Sequence, residues 1–293
     1  MKTHKMIALV SLSVLLFMGC QNQEDLAQDQ EAAISNEEVI SDIEMDNIVD
    51  DVSTITEDQF GVQQSLTNKN TTPYKSMLPD CVKITTELSN GSWIKTVDFG
   101  TTGCTLANGN VLKGKIIISF ANDFTSKEIV MTHKLDGFYH NETKIEGTQT
   151  TTRTLKSTAL LVAIHPVNTL TLKLQITSKE GKVYERIGTR VREMVEGSST
   201  VGNWEDNVFL VWGYSQSKLS NGTTYNTKVD ANPLRFVAAC KLPFPTKGTA
   251  NHSKTNADNV IVIESKLDFG NGDCDKIATI TIKGITKEIT LKK

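Results

Sequence analysis

The sequence predicts an all-β protein of antiparallel sheets, a sandwich or a barrel-like meander, with a short N-terminal acidic helix on a tether. Three observations carry this. Thr169 to Ile176 alternates polar and apolar residues at every step, which sets four aliphatic side chains on one face of a strand. Asn90-Gly91, Asn108-Gly109 and Asn221-Gly222 supply the positive φ of tight hairpin turns, with Glu180-Gly181 and Lys283-Gly284 as further turns. Long helical patterns are missing beyond residue 55, while Thr, Val and Ile are abundant among 19 glycines and six prolines.

Residues 1–19 read as a signal peptide. Lys2, His4 and Lys5 form a basic start, and the apolar run from Met6 to Met18 is interrupted only by Ser11 and Ser13. A membrane-spanning helix needs about 20 such residues, so this run is too short to cross a bilayer. It ends at Gly19-Cys20, where a cleavage site belongs. Phe17-Met18-Gly19-Cys20 resembles a lipobox with bulky residues at its first two positions. The resemblance implies that Cys20 is acylated, and that the chain is held at a membrane by that anchor. Gln21 after the cysteine implies the outer membrane, and Glu24-Asp25 resembles the acidic export signal of surface lipoproteins in Bacteroidota.

Residues 20–74 form the lipidated tether. Thirteen acids and no Lys or Arg stand between Gln21 and Asn68, whereas Lys69 to Lys293 carries 29 basic and 21 acidic residues, a net of about +8. Ser35 and Glu38 have capping-box spacing, and Val39, Ile40, Ile43, Ile48, Val49 and Val52 follow at helical spacing. These predict a helix over 36–53. Its unpaired acids repel one another, so it is either a marginal helix in a flexible tether or one docked on the basic domain. Gln21 to Ala33 is too polar to fold alone, and Thr54 to Tyr74 reads as linker.

Residues 75–293 form the β domain. Strand candidates are Lys113–Phe120, Ile129–Tyr139, Thr143–Leu155, Thr158–Ile164, Thr169–Ile176, Val183–Val195, Val208–Trp212, Thr223–Val229, Leu234–Ala239, Val260–Leu267, Ala278–Lys283 and Thr286–Leu291. In Val183–Val195 the aliphatic residues share one face, and Arg186, Arg190 and Arg192 share the other, which reads as a solvated basic face. With Cys20 acylated, four cysteines remain: Cys81, Cys104, Cys240 and Cys274. Four cysteines allow three pairings. Asp98-Phe99-Gly100-x-x-x-Cys104 recurs as Asp268-Phe269-Gly270-x-x-x-Cys274, each with one cysteine upstream. If each copy is a stapled element, the bridges are Cys81–Cys104 and Cys240–Cys274.

Segments Lys95–Cys104, Lys113–Ile118, Ile145–Thr154, Tyr184–Gly197, Asn221–Tyr225 and Leu267–Leu291 resemble a family of cell-envelope lipoproteins of Bacteroidota. The ending Leu267 to Asp275, with Gly284 and Ile289-Thr290-Leu291, carries most of that resemblance. It implies a β architecture and an envelope location, and brings no assigned activity.

Motifs for chemistry are sparse. The D-F-G tripeptide has no glycine-rich loop or catalytic loop around it, which excludes a kinase. Asn271, Asp273 and Asp275 alternate as in a calcium loop, but Lys276 and Ile282 stand where glycine and glutamate are required. Asp268, Asp273 and Asp275 remain as a candidate calcium set against a plain solvated turn, and no cofactor is expected. His133 and His140, seven apart on a strand, are placed on opposite faces, and His165 before Pro166 reads as a turn residue. No nucleophile elbow is present. Trp93, Trp204 and Trp212 are candidates for a sugar-stacking platform or for half-buried core. Export excludes nucleic acid as partner. The function expected is a non-enzymatic envelope binding module meeting a protein or glycan, with a lipophilic-ligand carrier or a hydrolase as alternatives.

Overall fold

The computed structural model describes residues 23–68, 74–200 and 202–291, with side chains of the leading helix described from Glu38 onward. The expected signal peptide over residues 1–19 and the expected lipidation at Cys20 fall outside the described residues.

One helix, α1 (Gln23–Thr67), precedes fourteen strands: β1 (Lys83–Ser89), β2 (Ser92–Asp98), β3 (Cys104–Thr105), β4 (Val111–Ala121), β5 (Glu128–His140), β6 (Thr143–Lys156), β7 (His165–Thr177), β8 (Val183–Glu196), β9 (Val208–Leu219), β10 (Thr224–Val237), β11 (Lys247–Thr255), β12 (Ile261–Asn271), β13 (Ile277–Ile282) and β14 (Ile285–Thr290). All pair antiparallel in one sheet in chain order, with β3 set beside β4 off the main path. The all-β class is as the sequence predicts, and the arrangement is a single open meander whose free edges are β1 and β14.

The sheet is curved around the helix. Between Asn47 and Phe60 every residue of α1 except Thr54 and Glu57 is buried, on all sides of the helix. A helix has no such environment on a flat sheet, where only one stripe is covered. Val39 and Ile43 pack with β9–β13, while Met45, Ile48, Val49, Val52, Ile55 and Phe60 pack with β2 and β4–β8. The expected helix over 36–53 is thus part of a 45-residue one. The reading of Thr54 to Tyr74 as linker is corrected through Thr67, and Ser35 is an interior residue rather than a cap. Self-repulsion of the acids does not limit the helix because the sheet supplies their counter-charges.

Most strand candidates fall on strands. Thr158–Ile164 is instead the loop joining β6 to β7. Thr223–Val229 and Leu234–Ala239 lie largely on the one strand β10, interrupted by a register shift between Val229 and Leu234. His133 and His140 were placed on opposite faces, yet both point inward and are buried. A bulge is the reason: the β4–β5 register slips between Lys113 and Lys115, and the β5–β6 register between Lys134 and Phe138. One extra residue inverts the alternation downstream. Gly114 (φ 77°) lies so close to the Gly137 carbonyl that any Cβ would collide with it.

The repeated element has one structure in both copies. Asp98 and Asp268 each accept the backbone N–H two residues on, at 2.8 and 2.9 Å. Phe99 and Phe269 enter the core, and Gly100 and Gly270 turn with φ 72° and 82°. The disulfides are Cys81–Cys104 and Cys240–Cys274, with Cα separations of 5.9 and 5.3 Å. The second ties the turn after β10 to the loop after β12 across a sequence separation of 34. In the chain-entropy model a loop of that length stabilises by ~3–4 kcal/mol. Cys240→Ser/Cys274→Ser is therefore expected to lower the unfolding free energy by that amount, as equilibrium urea unfolding will measure.

Candidate functional site

The inner face of β8 is where sequence reasoning and structure diverge most. Arg186, Arg190 and Arg192 point into the protein and are buried, while Val183 and Ile187 on the other face are exposed. The solvated basic face is corrected to a buried one. Burial of a guanidinium is tolerated only with paired, hydrogen-bonded partners, and α1 provides them. Asp42, Asp46 and Asp50 recur every four residues and so share a helix face. Arg186 donates from Nη1 to Asp42 at 2.7 Å and from Nη2 to Asp46, and its remaining bonds go to Ser215 and Ser217 of β9. Arg190 meets Asp46 at 2.7 Å and Asp50 at 3.2 Å. Arg192 faces Glu57 at 3.2 Å.

The pairing continues on both sides. His140 Nε2 lies 2.9 Å from Asp51, which also accepts from Asn108 and Asn110 at 2.8 and 2.7 Å. Asp42 also contacts Thr227 and His252 Nδ1, the latter at 3.2 Å. At the start of the described side chains, Lys254 donates to Glu38 at 2.6 Å and Tyr225 to the same oxygen at 3.1 Å. Lys95, inward on β2, reaches Gln63 at 3.5 Å.

These environments divide the carboxyls. Burial pushes Asp42 up, but Arg186, His252 and Thr227 outweigh it and hold the group below the usual carboxylate range. Burial raises Asp50 to about 6, because Arg190 only partly offsets it and the neighbouring charge of Asp46 raises it further. Glu57 and Asp58 are raised by burial as well. Burial lowers His133 to about 4 and lowers Lys95.

Near the C-terminal half of α1 a cleft of about 560 Å³ opens between the helix, the segment 75–78, the loop 106–108 and the ends of β9 and β10. Its floor carries Asp50, Asp51 and Arg192, and its walls carry Met77, Phe209, Phe236 and Trp204. The Trp204 ring packs on Phe209 at 5.8 Å between centroids, and the Arg192 guanidinium lies 3.7 Å from the Phe209 centroid on that ring. The loop around Trp204 also borders a second cleft of about 100 Å³, reaching Phe60 and Tyr74.

The predicted tryptophan platform is not assembled. Trp204 alone of the three lines the large cleft; Trp93 sits on β2, donating to Asn122 at 2.7 Å, and Trp212 sits half-buried on β9. His165 is corrected from a turn residue to a buried strand residue, with Nδ1 2.6 Å from the Ala163 carbonyl and Nε2 2.8 Å from Glu193. His252, beside Asp42 and Thr227, borders a void of about 20 Å³, too small for a substrate. Among the described residues, no group of three or more His, Cys, Asp or Glu could hold a metal ion. Asp268 and Asp275 instead accept backbone N–H groups of their own turns, so the candidate calcium set with Asp273 is not brought together. No described helix is long and apolar enough to cross a membrane.

The helix acids were the functional partners missed from the sequence, although the spacing of Asp42, Asp46 and Asp50 against Arg186 and Arg190 was there to find. Compared with models of protein families, with curated proteins and with solved structures, the chain matches none.

Proposed function

We propose that this chain is a lipid-anchored envelope module of the outer membrane, a non-enzymatic binding protein whose ligand site is the Trp204 cleft. The observation that carries the reading is the combination in one 560 Å³ concavity of aromatic walls with a polar floor, the composition that small-molecule sites share. A ring face and a set of fixed hydrogen-bonding groups suit a hydroxyl-rich ligand such as a short glycan. A lipophilic cargo fits less well, because α1 fills the space inside the sheet where such a carrier keeps its cavity. The anchor on Cys20 and the D-F-G-x-x-x-C elements support placement in the envelope.

Titration of envelope glycan fragments into the protein, read by tryptophan emission, tests the site. Trp204→Ala is expected to weaken binding roughly five- to a hundredfold, since aromatic stacking platforms lose about 1–3 kcal/mol with their ring, while Trp93→Ala leaves it unchanged. Equal loss in both variants, or binding indifferent to Trp204, removes the cleft from the proposal.

A further inference from the structure

The loop between β6 and β7 carries Leu160, Val162 and Ile164 at 53, 83 and 71% exposure, a run of aliphatic chains turned to solvent. It is held from beneath by buried polar groups. Glu193 of β8, 2% exposed at its side chain, receives the Thr158 hydroxyl at 2.5 Å and faces His165 Nε2 at 2.8 Å. The Thr158 hydroxyl in turn accepts the N–H groups of Leu160 and Leu161, and His165 Nδ1 faces the Ala163 carbonyl. Such a clamp fixes both ends of the loop, so the aliphatic chains are presented with little entropy left to lose on contact.

We infer that this loop dips into the bilayer that holds the lipid anchor, giving the protein a second point of attachment; the inference rests on the anchoring at Cys20 proposed above. Three side chains expose on the order of 400 Å², about half of the ~800 Å² per partner that a stable protein interface buries. For lipid the same patch suffices, because interfacial attachment works by adding a few apolar groups to an existing anchor. The loop itself holds no acid from Ser157 to Ile164. Exposed Lys156 flanks it, and exposed Lys127 is hydrogen-bonded through its carbonyl to Leu155; cations at that level favour anionic headgroups. Asp123 and Glu128 also lie on the adjoining β4–β5 connection, so the attraction is local to the two lysines. The base of the loop sits beside Phe60 and Gln64, where Pro166 and Arg153 line the same cleft. Gly61 is about 57 Å along the helix from Gln23 at 1.5 Å per residue. Contact at both ends therefore lays α1 along the membrane surface.

The test places a reporter in the loop of the full chain, reconstituted in vesicles of phosphatidylcholine and phosphatidylglycerol. Val162→Trp, with Ile164→Trp as an independent second position, adds one emission to the wild-type background. With brominated acyl chains in the same vesicles, the added emission is expected to fall at least twofold, and Lys127→Glu/Lys156→Glu to restore most of it. Added emission that stays unquenched while the chain floats with the vesicles and Cys20 carries fatty acid overturns the loop contact and leaves the anchor standing. Quenching only by separate brominated vesicles, or a concentration-dependent blue shift without lipid, overturns it in favour of an opposing membrane or a second copy. A chain that does not float at all overturns both readings.

Discussion

Arg186→Ala is expected to destabilise the protein by about 3–5 kcal/mol, the cost of leaving buried carboxylates without their cation. The side chain is wholly buried, and its guanidinium joins Asp42, Asp46, Ser215 and Ser217. Removing it strands Asp42, whose low position depends on that charge, and weakens the hold of β8 and β9 on α1. The melting temperature should fall by roughly 10 °C, at ~2–4 °C per kcal/mol for a chain of this size. A Glu-specific protease should then cut at Glu38 and Glu57, which the native packing partly covers. The companion variant Asp42→Asn/Arg186→Met replaces the Arg186–Asp42 pair by neutral groups, leaves Asp46 with Arg190 at 2.7 Å, and is expected to recover part of the loss, because well-packed neutral groups replace a buried ion pair at little net cost. A single variant no weaker than wild type in urea unfolding would mean that the network contributes nothing to holding the helix.

Lowering the pH from 7.5 to 5 is expected to engage two buried groups in opposite directions, Asp50 stabilising the fold and His133 destabilising it. Asp50 titrates at about 6 in the folded chain against 3.8 ordinarily. Between those values the folded state binds more protons than the unfolded one, so stability rises as pH falls and is lost as pH rises through 6. A shift of that size amounts to about 3 kcal/mol at 1.36 kcal/mol per unit. Glu57 and Asp58, both raised by burial, act in the same direction. Asp42 acts in the opposite one: its contribution is present above the usual carboxylate range and disappears as pH falls through its lowered value. His133 opposes Asp50 too: burial holds it at about 4 in the folded chain against 6.5 ordinarily, so the unfolded state binds more protons between those values and stability is lost as pH falls through them. The groups facing Asp50 are Arg190, Arg192, Asp46 and Asp51. Arg190 keeps its 2.7 Å contact with Asp46 when Asp50 is neutral. Asp50→Asn should raise the midpoint at pH 7.5 and steepen the loss towards pH 5, and His133→Gln should remove that loss, as unfolding curves at four pH values will show. A profile of Asp50→Asn that parallels the wild type contradicts the assignment.

The sheet was legible where its inner face is aliphatic. Leu170, Leu172, Leu174 and Ile176 alternate in sequence and are buried in the structure, and the asparagine–glycine pairs mark real turns. β11 went unseen because its inward residues are Gly248, Ala250 and His252, too small or too polar to register as an apolar face. The bulge at Gly137 was invisible for a similar reason, since one glycine in a strand reads as weakness rather than as a change of face. The helix was half-read. Its apolar positions were placed well and docking on the basic domain was one of its two readings, but nothing local names the arginines and lysine that neutralise its acids, which stand 135 to 216 residues away. The large cleft had no local signature, since it is assembled from six separate stretches of chain.

Those separations also fix an order of events. Synthesis delivers the amino end of a chain first, so α1 is made long before anything that can accept it. Its first ion-paired arginine arrives with β8, and its last cation only when Lys254 has followed. Until then the segment is a soluble polyanion, disinclined to collapse on itself or on its neighbours. Contacts of such range are reached slowly. The two disulfides close much shorter loops, of sequence separation 23 and 34, so each end of the sheet can be secured while the middle is still without its helix. The protein is in this sense assembled from its rim inward, and the first residues made are the last to find their place.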